Sequence, residues 1–286
     1  VAKRQRKYRL EIQNVYGLTT IIEPPFTIDF DIKKAIFANV CTGSITVYNL
    51  GERTRNEIYK DVTQVNLENI RAVELFAGYE GEQLPRIFGG TISHCYSRRQ
   101  GVDFLTTIEV NSGSDYLANS YVNLDVPKGT KVSDMMAQVA YQINPKARVL
   151  VGDYAGEFKR ACSLCGPADK IIKDYTGGNF FIDDDTIFLL SDDECVNGVL
   201  NEFNAESGLL GSPQREETFL VFDVIFEPRV SMFQKIKLTS STTDFFNGEF
   251  KVVGIHHVGT ISEAIGGTAK TSIRVEFFKA LGTIVK

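Results

Sequence analysis

Near both ends of the chain, three short alternating segments recur in one order. In the first half they are Val73-Glu74-Leu75, then Gly90-Thr91-Ile92-Ser93-His94, then Thr106-Thr107-Ile108-Glu109-Val110. In the second half they are Ile236-Lys237-Leu238, then Gly248-Glu249-Phe250-Lys251-Val252, then Thr271-Ser272-Ile273-Arg274-Val275-Glu276-Phe277. Apolar residues at every second position mark strands with one buried face. Alternation alone can generate such a match, so the shared order is either an internal duplication or two unrelated runs of strands. A duplication requires two similar β units, and no other feature limits the available folds as much.

The remaining sequence fits around this frame. Residues 8–12, 27–33, 44–48, 73–77, 87–96 and 104–110 read as strands, with turn chemistry at Gly17, Pro24-Pro25 and Gly78-Tyr79-Glu80-Gly81. A short helix is predicted over 54–59, with Thr54 as N-cap and Glu57 at N3. From about residue 128 the period changes. Val132, Met136, Val139 and Ile143 lie on one helical face, which Pro145 closes. A second helix is predicted over 156–165 with Gly166 at C′. A third is predicted over 168–175, opened by Pro167 at N1 and stopped by Gly177-Gly178. Residues 180–182 and 187–190 flank Asp183-Asp184-Asp185 as a hairpin. Strands return at 219–226, 235–238, 250–257 and 272–278, and Asn247-Gly248 reads as a tight hairpin turn. The expected architecture is mainly β (α+β overall). Two similar β-barrels span 1–125 and 196–286, with a small α+β insert at 126–195.

Composition excludes several function classes. A chain of 286 residues with 31 Lys and Arg against 36 Asp and Glu carries a net charge of −5, a poor balance for gripping nucleic acid or anionic membrane. No apolar run approaches the roughly 18 residues of a membrane span, and the start does not read as a signal peptide, so a soluble, unexported chain is expected. Five cysteines, at 41, 95, 162, 165 and 195, are too sparse and odd in number for a disulfide framework.

The reactive residue types do not assemble into a motif. Cys162-Ser163-Leu164-Cys165 would share a helical face with Phe158 near a helix C-terminus, where a thiolate is disfavoured. No second pair completes a zinc tetrad, and buried apolar cysteines are expected. His256 and His257 adjoin a strand and point to opposite faces, one inward and hydrogen-bonded, the other at the surface. His94 is isolated. The acidic runs at 183–185 and 192–194 lack the ligand spacing of a calcium loop, and Gly266-Gly267 reads as a turn. Lys3, Arg4, Arg6, Lys7 and Arg9 merge into an alternating strand, which favours a charge-guarded strand over a phosphate-gripping arm. No catalytic, cofactor or metal residue is assigned.

Two stretches carry a resemblance to the central baseplate hub proteins of contractile phage tails and related phage-tail-like particles. The first runs Gly17-Leu18-Thr19-Thr20 through Pro25-Phe26-Thr27-Ile28-Asp29-Phe30-Asp31-Ile32-Lys33, then Ile45-Thr46-Val47-Tyr48-Asn49-Leu50 and Val73-Glu74-Leu75-Phe76-Ala77-Gly78-Tyr79. The second is Gly208-Leu209-Leu210-Gly211-Ser212-Pro213-Gln214-Arg215, then Asn247-Gly248-Glu249-Phe250-Lys251-Val252 and His256-His257-Val258-Gly259. The likeness spans nearly the whole chain, although hubs of this type often present a Trp in the last β unit and this chain has none. The resemblance implies a homotrimer whose six barrels form a ring, the two units of one chain being related by a rotation near 60°. A sixfold tail tube docks above and a threefold spike below. It further implies wedge and tape measure proteins as neighbours, DNA only in passage, no membrane anchoring, no cofactor and no turnover. The setting would be a virion baseplate assembled in the host bacterial cytoplasm. A phage-associated wall hydrolase and a carbohydrate-binding β protein are the alternatives, both weakened by the absence of Trp.

Overall fold

The computed structural model describes residues 5–36, 41–61, 70–113, 120–177, 180–183, 185–191, 193–242, 244–276 and 284–285. The first part holds β1 (Arg6–Gln13), β2 (Thr19–Ile22), β3 (Ile28–Ala35), β4 (Cys41–Tyr48), α1 (Glu52–Ile58), β5 (Ala72–Tyr79), β6 (Arg86–Gln100) and β7 (Asp103–Ser112). The middle holds β8 (Tyr121–Val126), α2 (Val132–Ile143), β9 (Arg148–Val151), β10 (Cys162–Pro167), α3 (Ala168–Thr176), β11 (Phe180–Asp183) and β12 (Thr186–Leu189). The last part holds β13 (Cys195–Phe203), β14 (Leu209–Glu216), β15 (Phe219–Ile225), β16 (Gln234–Leu238), β17 (Gly248–Ile261), β18 (Ala269–Glu276) and β19 (Ile284–Val285).

The duplication is real at the level of topology. Hydrogen-bonded neighbours run β1-β5-β6-β7-β4-β3 in the first part and β13-β16-β17-β18-β15-β14 in the last. Leaving out β2 and β19, which have no counterpart, and counting along the chain, both orders are first, fourth, fifth, sixth, third, second. A bulge also falls at the same place in both. It interrupts β6–β7 between Ile92 and His94, and β17–β18 between Val252 and Gly254. Thr106–Val110 and Thr271–Val275 occupy matching registers, as their sequences suggest. The middle strand is shifted: Val73 pairs with Gly90, whereas Ile236 pairs with Phe250 and not with Gly248. An even shift keeps each residue on its face, which is why alternation conceals it. One pairing differs in sense, since β1 runs antiparallel to β5 but β13 runs parallel to β16.

The two parts share one sheet. β3 pairs with β17 from Ile28 opposite Ile261 to Ala35 opposite Gly254, which joins both parts into one 14-stranded sheet. Among the described residues, no strand pairing closes a barrel. The cause is the length of β17, whose start binds β16 and whose remainder offers an edge to β3. One edge of β3 is therefore satisfied by the other repeat, while its opposite edge pairs with β4 of its own. Alternation in β3 puts Ile28, Phe30 and Ile32 in the core and leaves Asp29 and Asp31 half-buried on the other face. Each buried Ile or Phe contributes about 1.5–3 kcal/mol.

The middle segment forms a second layer. Met135, Met136, Val139, Ala140 and Ile143 of α2 pack with Ile171 and Ile172 of α3 and with Ile182 and Leu189 in a cluster of their own. The opposite face of the small β11-β12-β9 sheet joins the main core. Phe181 and Phe188 meet Phe233 at ring separations of 6.1 and 5.2 Å. The insert is thus not wholly outside the shared core.

Four local expectations are corrected. Residues 156–165 do not form a helix; Cys162–Pro167 is a strand paired with Tyr121–Val126. The segment carries only Phe158 and Leu164 as large apolar residues, and the edge of β8 supplies the hydrogen bonds a helix would have made internally. Helix α1 starts at Glu52 with Gly51 as N-cap, so Thr54 lies inside it and caps nothing. Asn247-Gly248 is not a tight turn. β16 ends at Leu238, and the loop to Gly248 is closed by Asn247 Oδ1 accepting from the Ser240 N–H at 2.6 Å. Pro167 sits at the N-cap of α3 and not at N1, and Gly177 ends that helix in the left-handed region at φ 66°. Lys3, Arg4, Asp184, Asp192, Gly178 and residues 277–278 lie outside the described residues.

Candidate functional site

The joint between β3 and β17 is where the two repeats become one object. On its half-buried face, Asp29 accepts from Tyr48 Oη and from Thr260 Oγ1, each at 2.6 Å. Asp31 faces His256 Nε2 at 3.0 Å and Lys33 Nζ at 3.3 Å. The hydrogen bond to Asp29 is the main reason the Tyr48 phenol is pushed up to about 12. The Thr260 and His256 bonds join one repeat to the other, and the Tyr48 bond braces β3 against β4. The tip of the β17–β18 hairpin continues the contact. Lys7 of β1 pairs with Glu263, and Arg6 Nη1 donates to the Gly267 carbonyl at 2.9 Å. Arg6 and Lys7 therefore act within the joint, while Arg9 pairs with Glu11 of its own strand and lies over Phe76, as in a guarded strand.

On the core side, Phe226 is the common anchor. Its ring lies 5.7 Å from Phe30, 6.2 Å from Tyr79 and 5.7 Å from His257, and its carbonyl accepts from Tyr79 Oη at 2.7 Å. His257 is buried with Nδ1 2.9 Å from Thr271 Oγ1. Burial, with Lys34 and His256 adding to it, holds this imidazole down to about 3. His256 and His257 thus divide as expected, one to each face.

The residues considered for chemistry do not converge. Cys162 and Cys165 are exposed on strand β10, which contradicts the buried helical pair expected from sequence. Residues three apart on a strand point to opposite faces, so the two thiols share no site. Cys41, Cys95 and Cys195 are buried, and desolvation pushes the Cys95 thiol up to about 12. His94 stacks on Tyr96 at 4.6 Å with Glu109 at 3.9 Å. Among the described residues no three His, Cys, Asp or Glu side chains gather as metal ligands. Asp183, Asp185 and Glu194 of the acidic runs make structural contacts. Asp183 binds Lys34 Nζ at 2.8 Å, and Asp185 meets Arg86 at 3.3 Å, which fastens the hairpin to the main sheet. Glu194 is buried and accepts the N–H groups of Asp153 and Ser191 at 2.6 and 2.8 Å. A 240 Å³ cavity beside this hairpin is lined by Lys34, Arg86, Arg148 and Asp183, with Lys34 and Arg86 already ion-paired. Phe226, Tyr79 and Glu194 were not singled out by sequence. A lone Phe after an apolar strand, or one Glu in an acidic run, carries no periodic signal.

Comparison with known proteins gives the class of this duplicated sheet with its polar seam. The family model described as baseplate hub gp41 matches residues 9–258, and the chain belongs to that family. Its fold is similar to that of a tail protein from Neisseria meningitidis MC58, at 9% identity and TM-score 0.61, covering 96% of this chain and 98% of that one. It is also similar to the 43 kDa tail protein of prophage MuSo2 from Shewanella oneidensis, at 8% identity and TM-score 0.59, covering 96% and 99%. A third likeness is to an E. coli type VI secretion system component, described as structurally similar to the T4 tail proteins gp27 and gp5. There the identity is 9%, the TM-score 0.58 and the coverage 96% and 79%. Comparison with curated sequences finds no match.

Proposed function

We propose that the protein is the hub of a contractile tail baseplate, a homotrimer whose six repeats form a pseudo-sixfold ring around a channel. The observation that supports this reading is the shared strand order of the two parts, down to the common bulge. Two equivalent repeats per chain let three chains present six similar units, which matches a sixfold tail tube on one side. The insert and β2 occur once per chain and keep threefold character for a spike on the other. Wedge and tape measure proteins are further neighbours in this reading, and DNA passes without being held. The domain division follows the repeats, with units at 1–125 and 196–286 and the insert at 126–195. The role is mechanical, with no turnover. Light scattering on the purified chain tests it: a mass of three times 31.9 kDa is expected. A strict monomer at high concentration overturns it.

A further inference from the structure

We propose that β14 of one chain adds to the distal half of β6 in a second copy, repeating between chains the joint that β3 makes with β17 within one. This deepens the trimeric hub reading and rests on it.

The repeats assign the partner. β3 and β14 are the second strands of their repeats, and β6 and β17 are the fifth. Within the chain, the second strand of the first repeat docks on the fifth strand of the last repeat. Its counterpart would set β14 on β6, but within one chain six strands of the same sheet path separate the two. Among the described residues, β14 has β15 as its sole strand partner, and the distal half of β6 has β7 alone. The edge of β6 is touched at Cys95, which exchanges both backbone bonds with Lys60 at 2.9 Å. Ser97 and Arg99, two and four residues further on, direct their backbone groups to that same side.

Exposure agrees with this vacancy in the sheet. β3 buries Ile28, Phe30 and Ile32 and exposes Lys33 alone, whereas β14 buries Pro213 alone and half-buries Leu209, leaving its other residues exposed. Ser97 through Gln100 of β6 are exposed, unlike their counterparts 257–260 in β17. Inside the chain the β17–β18 tip is held by Lys7 and Arg6 of the other repeat. The matching β6–β7 tip presents Val102 at 85% exposure. A head-to-tail contact of this kind generates a closed ring when the rotation per unit divides the circle.

The register follows by equivalence. The shared bulge sets Ile92 against Val252, and the pairing of β4 with β7 and β15 with β18 sets Ile45 against Phe222. Carried through the β3–β17 register, these place Gln214 opposite Arg98 and Leu210 opposite Gln100 of the second copy. The Gly211-Ser212-Pro213 bulge lies between those two pairs.

Directly opposed residues on antiparallel strands have Cα atoms about 4.5–5.5 Å apart, within disulfide reach. The test is therefore a Gln214→Cys, Arg98→Cys double variant in a Cys162→Ser, Cys165→Ser background, oxidised mildly and read on a non-reducing gel. Covalent dimers and trimers are expected from the double variant and none from either single variant. A trimer by mass that stays uncrosslinked overturns the seam and leaves the hub reading intact. Crosslinking in a single variant points to a symmetric contact and also overturns it, and a monomer overturns both. Should the variant fail to fold, hydrogen exchange on the unaltered chain decides the matter. Amides of Ser97 and Arg99, and those of β14 not already bonded to β15, are expected to slow on association, and unchanged exchange there refutes the seam.

Discussion

Acid should loosen this protein through one buried side chain. His257 is 1% exposed, hydrogen-bonded to Thr271, and packed against Phe226 at the meeting of the repeats. Burial holds its imidazole at about 3, while the unfolded chain binds that proton near 6.5. Because the folded value is depressed for a base, its stabilising contribution is fully present above about 6.5 and is lost as pH falls from there toward 3. Between pH 7 and pH 5 the loss from this group is about 2 kcal/mol, from 1.36 kcal/mol per pH unit over the part of the window crossed. Carboxylates titrating in the same range add their own dependence, so the comparison is with His257→Gln. Urea unfolding at fixed protein concentration, at pH 7 and pH 5, gives the difference. Wild type should lose about 2 kcal/mol more than the variant over that interval. Equal losses would refute the assignment of His257 as a neutral, proton-refusing core residue.

Other substitutions probe the packing and the corrections. Phe226→Ala should cost about 3–5 kcal/mol, because it removes the ring shared by both repeats; an unfolding midpoint unchanged within error would contradict this. Glu194→Ala leaves two backbone donors without their acceptor and should destabilise by about 2–4 kcal/mol, read by thermal unfolding. Gly43→Ala would set a methyl 2.4 Å from the Phe88 ring, and overpacking of about 1–3 kcal/mol is expected. The Cys162→Ser, Cys165→Ser pair should change stability by less than about 0.5 kcal/mol, since both thiols are exposed. A large loss there would restore the buried pair that the structure removes.

The legible parts of this fold are those in which local period equals the final environment. Strand β3 could be read because Ile28, Phe30 and Ile32 alternate strictly, and α2 because Met136, Val139 and Ile143 keep one face. Two of the three repeated strands could be aligned to the residue. Strand β10 could not, because its partner is β8, some 40 residues earlier, and Phe158, Cys162 and Cys165 fall at helical spacing by coincidence. The Asn247-Gly248 pair misleads for a similar reason: the loop is organised by Ser240 and not by the dipeptide. The candidate site was legible in part. His256 and His257 could be assigned to opposite faces, but nothing local announces that β3 will dock on β17. An edge strand looks the same in sequence whichever chain or repeat completes it.

End-on views of the purified particle by electron microscopy test the central claim most directly. The account expects three copies of the chain arranged as six similar lobes around an open centre, with threefold features confined to the parts that occur once per chain. Two-lobed single chains, or a threefold particle whose two repeats occupy unlike positions around the axis, would contradict it.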